Sequence, residues 1–317
     1  MTRRRLAAAL VIVLALAGCS GREGKRLGIA TGGTGGVYFV LGGGIAEEVG
    51  ESIPGYEATA EVTSASVDNM LLIADGKSDI AFTLADTAAD GIAGKDVFDG
   101  EKIPAKALAR IYPNYTQVVS VADRGIRSVE DLRGKRVSVG SPNSGTEVIA
   151  LRVLRAAGLD PDKDVERRAL GVGESVQAVK DGALDAFFWS GGVPTAAVTD
   201  LAATEEMVMV PTDAVAPKLQ AQYGDVYSVT EIEGGKYEDV PDPVKTIVVP
   251  NYLVVRDDMD PELAYQLTKM LFERKDDLAK IHPSAKQLDV EKAQDVAPLE
   301  LHRGAKRYYD EAGAKAK

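Results

Sequence analysis

Asp75-Gly76-Lys77-Ser78-Asp79-Ile80-Ala81-Phe82 has an echo 106 residues further along in Asp181-Gly182-Ala183-Leu184-Asp185-Ala186-Phe187-Phe188. An amphipathic stretch precedes each. Upstream of both lies a strand that opens through a glycine-bearing loop into a helix; Gly35 to Asp75 spans 40 residues and Gly145 to Asp181 spans 36. A strand, glycine loop, helix and strand repeated at this spacing builds two similar α/β lobes.

Apolar periodicity supplies the elements. Strands are predicted at Arg26 to Thr31, Tyr56 to Val62, Ile80 to Leu84, Val118 to Val121, Val137 to Val139, Ala186 to Phe188 and Thr246 to Val255. Helices are predicted at Val37 to Glu51, Val67 to Ala74 and Glu147 to Ala157, with a short capped one at Ser128 to Leu132. Asp260-Pro261-Glu262 reads as an N-cap with proline in the first helical position, before an apolar face of Leu263, Leu267, Met270, Leu271 and Leu278. A polar helical tail runs from His302 to Lys317. No third lobe follows the second, so the chain is expected to cross out of the first lobe near Val118 to Val121 and return near Thr246 to Val255. That arrangement is a clamshell with a two-strand hinge.

The loops that open helices are the candidate chemistry. In Thr31-Gly32-Gly33-Thr34-Gly35-Gly36-Val37-Tyr38, glycine lets backbone N–H groups turn toward a ligand while the helix N-terminus adds positive partial charge. A dinucleotide fingerprint fails because Tyr38 stands where its last glycine should be, and the phosphate loop G-x-x-x-x-G-K-[ST] occurs nowhere. Thr34 and Tyr38 add hydroxyls, which suits a small anionic or zwitterionic ligand. The matching loop of the second lobe offers Asn143, Ser144, Gly145 and Thr146; Ser144 or Thr146 can cap the helix while free N–H groups face the ligand. Ser64, Ser66 and Asp86 stand beyond strand ends, where α/β sheets bind ligands, and Trp189 and Gly191 follow the Ala186 to Phe188 strand as a possible cleft wall against ordinary core packing.

Composition removes other classes. The 317 residues carry 48 acidic and 37 basic side chains, a net charge of −11, against a nucleic-acid partner. Two histidines, His282 and His302, and a single cysteine supply neither a zinc cluster nor a disulfide, and no metal or cofactor is expected. G-x-S-x-G, S-x-x-K, H-E-x-x-H and C-x-x-C are all absent, so binding is favoured over catalysis.

The N-terminus carries an address. Arg3, Arg4 and Arg5 precede an apolar run from Leu6 to Ala17, then Gly18-Cys19-Ser20. Twelve residues rise about 18 Å as a helix, short of the roughly 30 Å hydrocarbon core, so the run reads as a signal peptide. Leu16-Ala17-Gly18-Cys19 resembles the bacterial lipobox, which makes Cys19 the lipidation site and first mature residue. Loss of the three leader arginines takes the body from −11 to −14. The expected divisions are a leader at 1–18, a tether at 19–26, a first lobe at 27–119 plus 246–317, and a second at 120–245.

Three stretches together resemble the TAXI family, the extracytoplasmic solute receptors of tripartite ATP-independent periplasmic (TRAP) transporters. They are Gly28 to Tyr38; Asp131 to Gly140 with Ser144-Gly145-Thr146-Glu147; and Asp185-Ala186-Phe187-Phe188-Trp189-Ser190-Gly191-Gly192-Val193-Pro194. The resemblance implies a type II periplasmic-binding-protein fold, closure of two lobes on glutamate, glutamine or a related dicarboxylate, and delivery to a TRAP permease from the outer face of the cell membrane. It also implies ligand contacts at Thr34, Gly35, Gly36, Val37, Tyr38, Ser64 and Ser66 from one lobe and Asn143, Ser144, Gly145 and Thr146 from the other. The family often has a glutamine near the end of the Ile80 to Leu84 strand, where this chain reads Thr83-Leu84-Ala85-Asp86. Competing readings are a ligand-sensing lipoprotein for a membrane histidine kinase and an exported hydrolase with a carboxylate pair.

Overall fold

The computed structural model describes residues 24–315; the leader, Cys19 and most of the tether lie outside them. Among the described residues no helix is long and apolar enough to cross a membrane. Ten strands form one mixed sheet: β1 (Lys25–Ala30), β2 (Tyr56–Glu61), β3 (Ile80–Leu84), β4 (Ala105–Val121), β5 (Arg136–Ser138), β6 (Glu166–Arg168), β7 (Ala186–Gly191), β8 (Met207–Val210), β9 (Ser228–Ile232) and β10 (Val244–Arg256). The helices are α1 (Val37–Ser52), α2 (Ser66–Ala74), α3 (Ala85–Ala93), α4 (Gly145–Ala156), α5 (Val172–Lys180), α6 (Ala196–Ala202), α7 (Ala216–Tyr223), α8 (Pro261–Glu273), α9 (Lys275–Ile281) and α10 (Arg303–Lys315).

Strand order is β2-β1-β3-β10-β4-β7-β5-β6, with β8 added to β4 and β9 to β10. Each end is a parallel triplet, and each triplet meets a long central strand antiparallel: β3 on β10, and β7 on β4. The repeat read from the sequence is this symmetry. Its physical content is structural. Asp79 Oδ2 accepts from the Gly28 N–H and Asp185 Oδ2 from the Arg136 N–H, both at 2.8 Å, tying the start of the inner strand to the middle strand of each triplet. Gly76 and Gly182, with φ of 64° and 67°, end α2 and α5 in the left-handed region that glycine enters freely.

The two central strands are longer than the sequence pattern indicated. The expected strand at Val118 to Val121 is the last part of the 17-residue β4, about 56 Å at the usual rise per residue. Ala105 to Gln117 escaped notice because Arg110, Pro113 and Asn114 break its apolar alternation. Pro113 faces Pro250 of β10, and the register shifts between Pro250 and Tyr252. The short helix at Ser128 to Leu132 is a single 3₁₀ turn at Glu130–Leu132. Trp189 and Gly191 lie within β7 rather than beyond it.

The C-terminal segment returns to the first triplet. Leu263, Leu267, Met270 and Leu271 of α8 and Leu278 of α9 are buried with Leu27, Ile29, Leu41 and Ile45. Asp260 caps α8 by accepting from the Glu262 and Leu263 N–H groups, each at 3.0 Å.

Candidate functional site

Four helices begin at one cavity of about 480 Å³, within the range of about 300–1,000 Å³ usual for small-molecule sites. The starts of α1 and α2 come from the first triplet, those of α4 and α5 from the second, and Gly36, Ala65, Ser144 and Gly171 are their N-cap residues. The first N–H groups of a helix have no intrahelical acceptor, and the aligned peptide dipoles add positive partial charge. Four such ends around one space make a field for an anion without a cationic side chain. Among the described residues that line the cavity none is Arg, Lys, His, Cys or Asp; Glu174 is the one charged side chain.

Local sequence shapes each start. The Gly36 N–H donates to the Gly33 carbonyl at 2.9 Å, folding the glycine run into a tight turn before α1. A Cβ on Gly36 would sit 3.3 Å from the Trp189 ring, so the missing side chain lets a wall of one lobe approach the loop of the other. Ala65 holds φ at 84°, a conformation that costs a non-glycine residue about 1–3 kcal/mol. Its neighbours hold it there. Thr63 Oγ1 accepts from the Ala65 N–H at 3.0 Å and bonds Asn69 Oδ1 at 2.6 Å, while Asn69 Nδ2 donates to the Thr31 and Phe82 carbonyls, both at 2.7 Å. Buried Asn69 thereby fixes the start of α2 to β1 and β3. Ser144 Oγ caps α4 by accepting from the Glu147 N–H at 3.1 Å, and Glu174 Oε2 accepts from the Gly171 N–H at 3.0 Å at the start of α5.

The inner wall is aromatic and polar. Tyr38 stacks on Phe82 with ring centroids 4.9 Å apart, and its hydroxyl donates to Asn251 Oδ1. Burial raises the Tyr38 hydroxyl well above the ordinary tyrosine range, so it remains a protonated donor. Asn251 Nδ2 donates to the Tyr112 carbonyl at 3.0 Å. Trp189, which lines the cavity, donates from Nε1 to Thr195 Oγ1 at 2.9 Å. Thr146 Oγ1 accepts from the Ser190 N–H at 3.2 Å, joining α4 to β7.

Thr34, Gly35, Gly36, Val37, Tyr38, Ser64, Ser66, Ser144, Gly145, Thr146, Trp189 and Gly191 are brought together around this space. Two expected residues are not. Asp86 is buried on α3, away from the cavity; it accepts from the Tyr227 hydroxyl at 2.6 Å and lies 3.6 Å from Arg152 Nη1. Position beyond a strand end misled here because α3 starts at once at Ala85 and turns the next side chain into the protein. Asn143 is exposed with φ at 61°; its backbone N–H donates to Glu147 Oε2 and its carbonyl accepts from the Asp68 N–H at 3.2 Å, joining the two lobes outside the cavity.

Sequence reasoning missed Tyr112 and Asn114 of β4 and the Leu170 to Glu174 loop. The echo held the signal for the loop. Carried upstream at the same offset of 106, it maps Ser64–Asp68 onto Leu170–Glu174, and α2 and α5 are both nine residues long. His282 and His302 serve elsewhere, their Nδ1 atoms accepting from the Ser284 and Gly304 N–H groups. Among the described residues no group of three or more His, Cys, Asp or Glu is placed to hold a metal.

Solved structures share this architecture. The periplasmic aliphatic sulphonate binding protein SsuA from Escherichia coli is 13% identical, with 90% of this chain and 83% of that chain covered and a TM-score of 0.51. A protein from Bordetella bronchiseptica RB50 is 15% identical, with 92% and 99% covered and a TM-score of 0.57. A structure from work on glutathione import via GshT and the cystine importer TcyBC of Streptococcus mutans is 16% identical, with 83% and 95% covered and a TM-score of 0.50. At these identities the likeness establishes the fold: two α/β lobes of the periplasmic-binding-protein type. Matched from residue 29 to residue 313, the chain belongs to the NMT1-like family.

Proposed function

We propose that the protein is an extracytoplasmic receptor that closes its lobes on a small carboxylate, of the glutamate, glutamine or dicarboxylate type, and delivers it to a TRAP permease. The observation that carries the reading is the convergence of four helix N-termini from both lobes on one cavity. An anion held by N–H groups of both lobes favours the closed form over the open one, and this difference is what a permease can read. With a body of −14, capture falls to these local donors rather than to long-range attraction.

The TRAP assignment rests on the TAXI-like stretches of the sequence. So does the anchor at Cys19, which would hold the receptor on the outer face of the membrane; mass spectrometry of the mature N-terminus tests it. We take the lobes to be 27–119 plus 246–317 and 120–245. A thermal-shift screen over amino acids, dicarboxylates, sulphonates and sugars tests the ligand class, since a ligand at 100 times its Kd adds about 2.7 kcal/mol. Stabilisation by carboxylates is expected. A response confined to sugars would end the reading, and a full set of carboxylate responses without co-purification of a TRAP permease would end the transport part alone.

A further inference from the structure

Three buried polar atoms on the cavity wall have no hydrogen-bond partner in the protein: Tyr112 Oη, Asn114 Oδ1 and Ser190 Oγ. Their residues are 2%, 4% and 6% exposed. Leaving a buried polar group without a partner is unfavourable, and three around one cavity point to a common occupant. Tyr112 and Asn114 stand two apart on β4 and both line the cavity. Asn114 Nδ2 donates to the Ser190 carbonyl at 3.2 Å, which fixes the amide orientation and leaves Oδ1 as an acceptor. Burial raises the Tyr112 hydroxyl, which therefore stays protonated and able to donate.

We propose that Tyr112, Asn114 and Ser190 form an uncharged subsite that takes the end of the solute remote from its carboxylate and requires a hydrogen-bond donor there, a primary amide fitting best. The amide NH₂ meets Asn114 Oδ1, and the amide carbonyl accepts from the two hydroxyls. A second carboxylate would set its oxygens against Asn114 Oδ1 with no cation in the lining to offset it. This specificity rests on the receptor reading above and selects among its ligands.

Calorimetry on the full chain at pH 7 compares two matched pairs, L-glutamine with L-glutamate and succinamate with succinate. Each amide is expected to bind at least about tenfold tighter than its partner. Tyr112→Phe and Ser190→Ala should each weaken the amides about three- to tenfold while the unliganded melting temperature holds, because neither hydroxyl has a protein partner to lose. A purely structural role would lower that temperature and leave the amide preference intact. Tighter or equal binding of the acids, or unchanged amide affinity in both variants, overturns the subsite and spares the carboxylate receptor. No response to any of the four overturns both.

Discussion

Arg152 is the side chain whose loss should be felt most. It projects from α4 and is 3% exposed. Nη2 lies 2.5 Å from Asp90 Oδ2 and 2.6 Å from Asp96 Oδ2, Nη1 donates to the Tyr227 hydroxyl at 3.2 Å, and the guanidinium sits 3.9 Å from the Tyr223 ring centroid. Asp86, Asp90 and Asp96 come from α3 and the turn after it, so this cluster fastens the two lobes away from the cavity. In Arg152→Met the stem volume is kept and the charge removed. Asp96 is half exposed and its arm is worth about 0–1 kcal/mol. Asp86 and Asp90 are sealed, and leaving buried carboxylates without their cation costs about 3–5 kcal/mol. Melting should fall by about 6–10 °C for a chain of this size, measured by calorimetry beside Asp90→Asn and the double variant. Solute affinity should fall with it, since the fastening joins lobe to lobe. A loss below about 1 kcal/mol, or additivity within about 0.5 kcal/mol in the double variant, would show that the cluster is not coupled as its geometry requires.

The same cluster has a pH signature. Burial raises Asp90 to about 6, against the pull of Arg152 and with the help of Asp86 and Asp96. A carboxyl raised on folding stabilises most when protonated, so wild type should lose stability relative to Asp90→Asn as pH climbs from about 4 to 6 and run parallel above that; urea titrations across this range measure it. Gly145→Ala would place a Cβ 2.5 Å from Leu84 Cδ1 and 2.6 Å from Ser66 Oγ across the cleft, wedging the lobes apart. Solute binding should weaken about tenfold or more with melting little changed, on a cost of about 1–3 kcal/mol for overpacking. Gly76→Ala and Gly182→Ala force alanine into the left-handed region at equivalent helix ends and should each cost about 1–2 kcal/mol in denaturant unfolding; a large difference between them would contradict the symmetry of the two lobes.

The lobes were legible because their repeat sits in backbone-determined positions, a helix end at Asp-Gly and an aspartate that ties neighbouring strands. Glycine loops announced two of the four helix starts. The start of α5 carried no serine pair, only Leu170-Gly171-Val172, so its place at the cavity showed through the offset and not through its chemistry. Asp86 misled for the opposite reason: a carboxylate in the expected place for a ligand contact was spent on Arg152, 66 residues away in sequence and unpredictable from local pattern. Tyr112 and Asn114 were hidden inside a strand whose proline broke the alternation that identifies strands.

That proline has a mechanical consequence. Pro113 and Pro250 face one another where β4 and β10 run together, and neither has an N–H to offer a strand on its outer side; Pro250 stands one residue past the last β3 pair, Asn251–Leu84, and Pro113 two past the last β7 pair, Tyr115–Gly191. At that height β4 and β10 pair with each other and neither β3 nor β7 continues beside them. Tyr112, Asn114 and Asn251 are the residues immediately beside that pair, and Tyr112 and Asn114 line the cavity, so the two-strand crossing and the cavity wall share the same few peptides. A solute held in the proposed site would rest against that crossing, where the only continuous link between the two sheet halves among the described residues is a pair of strands.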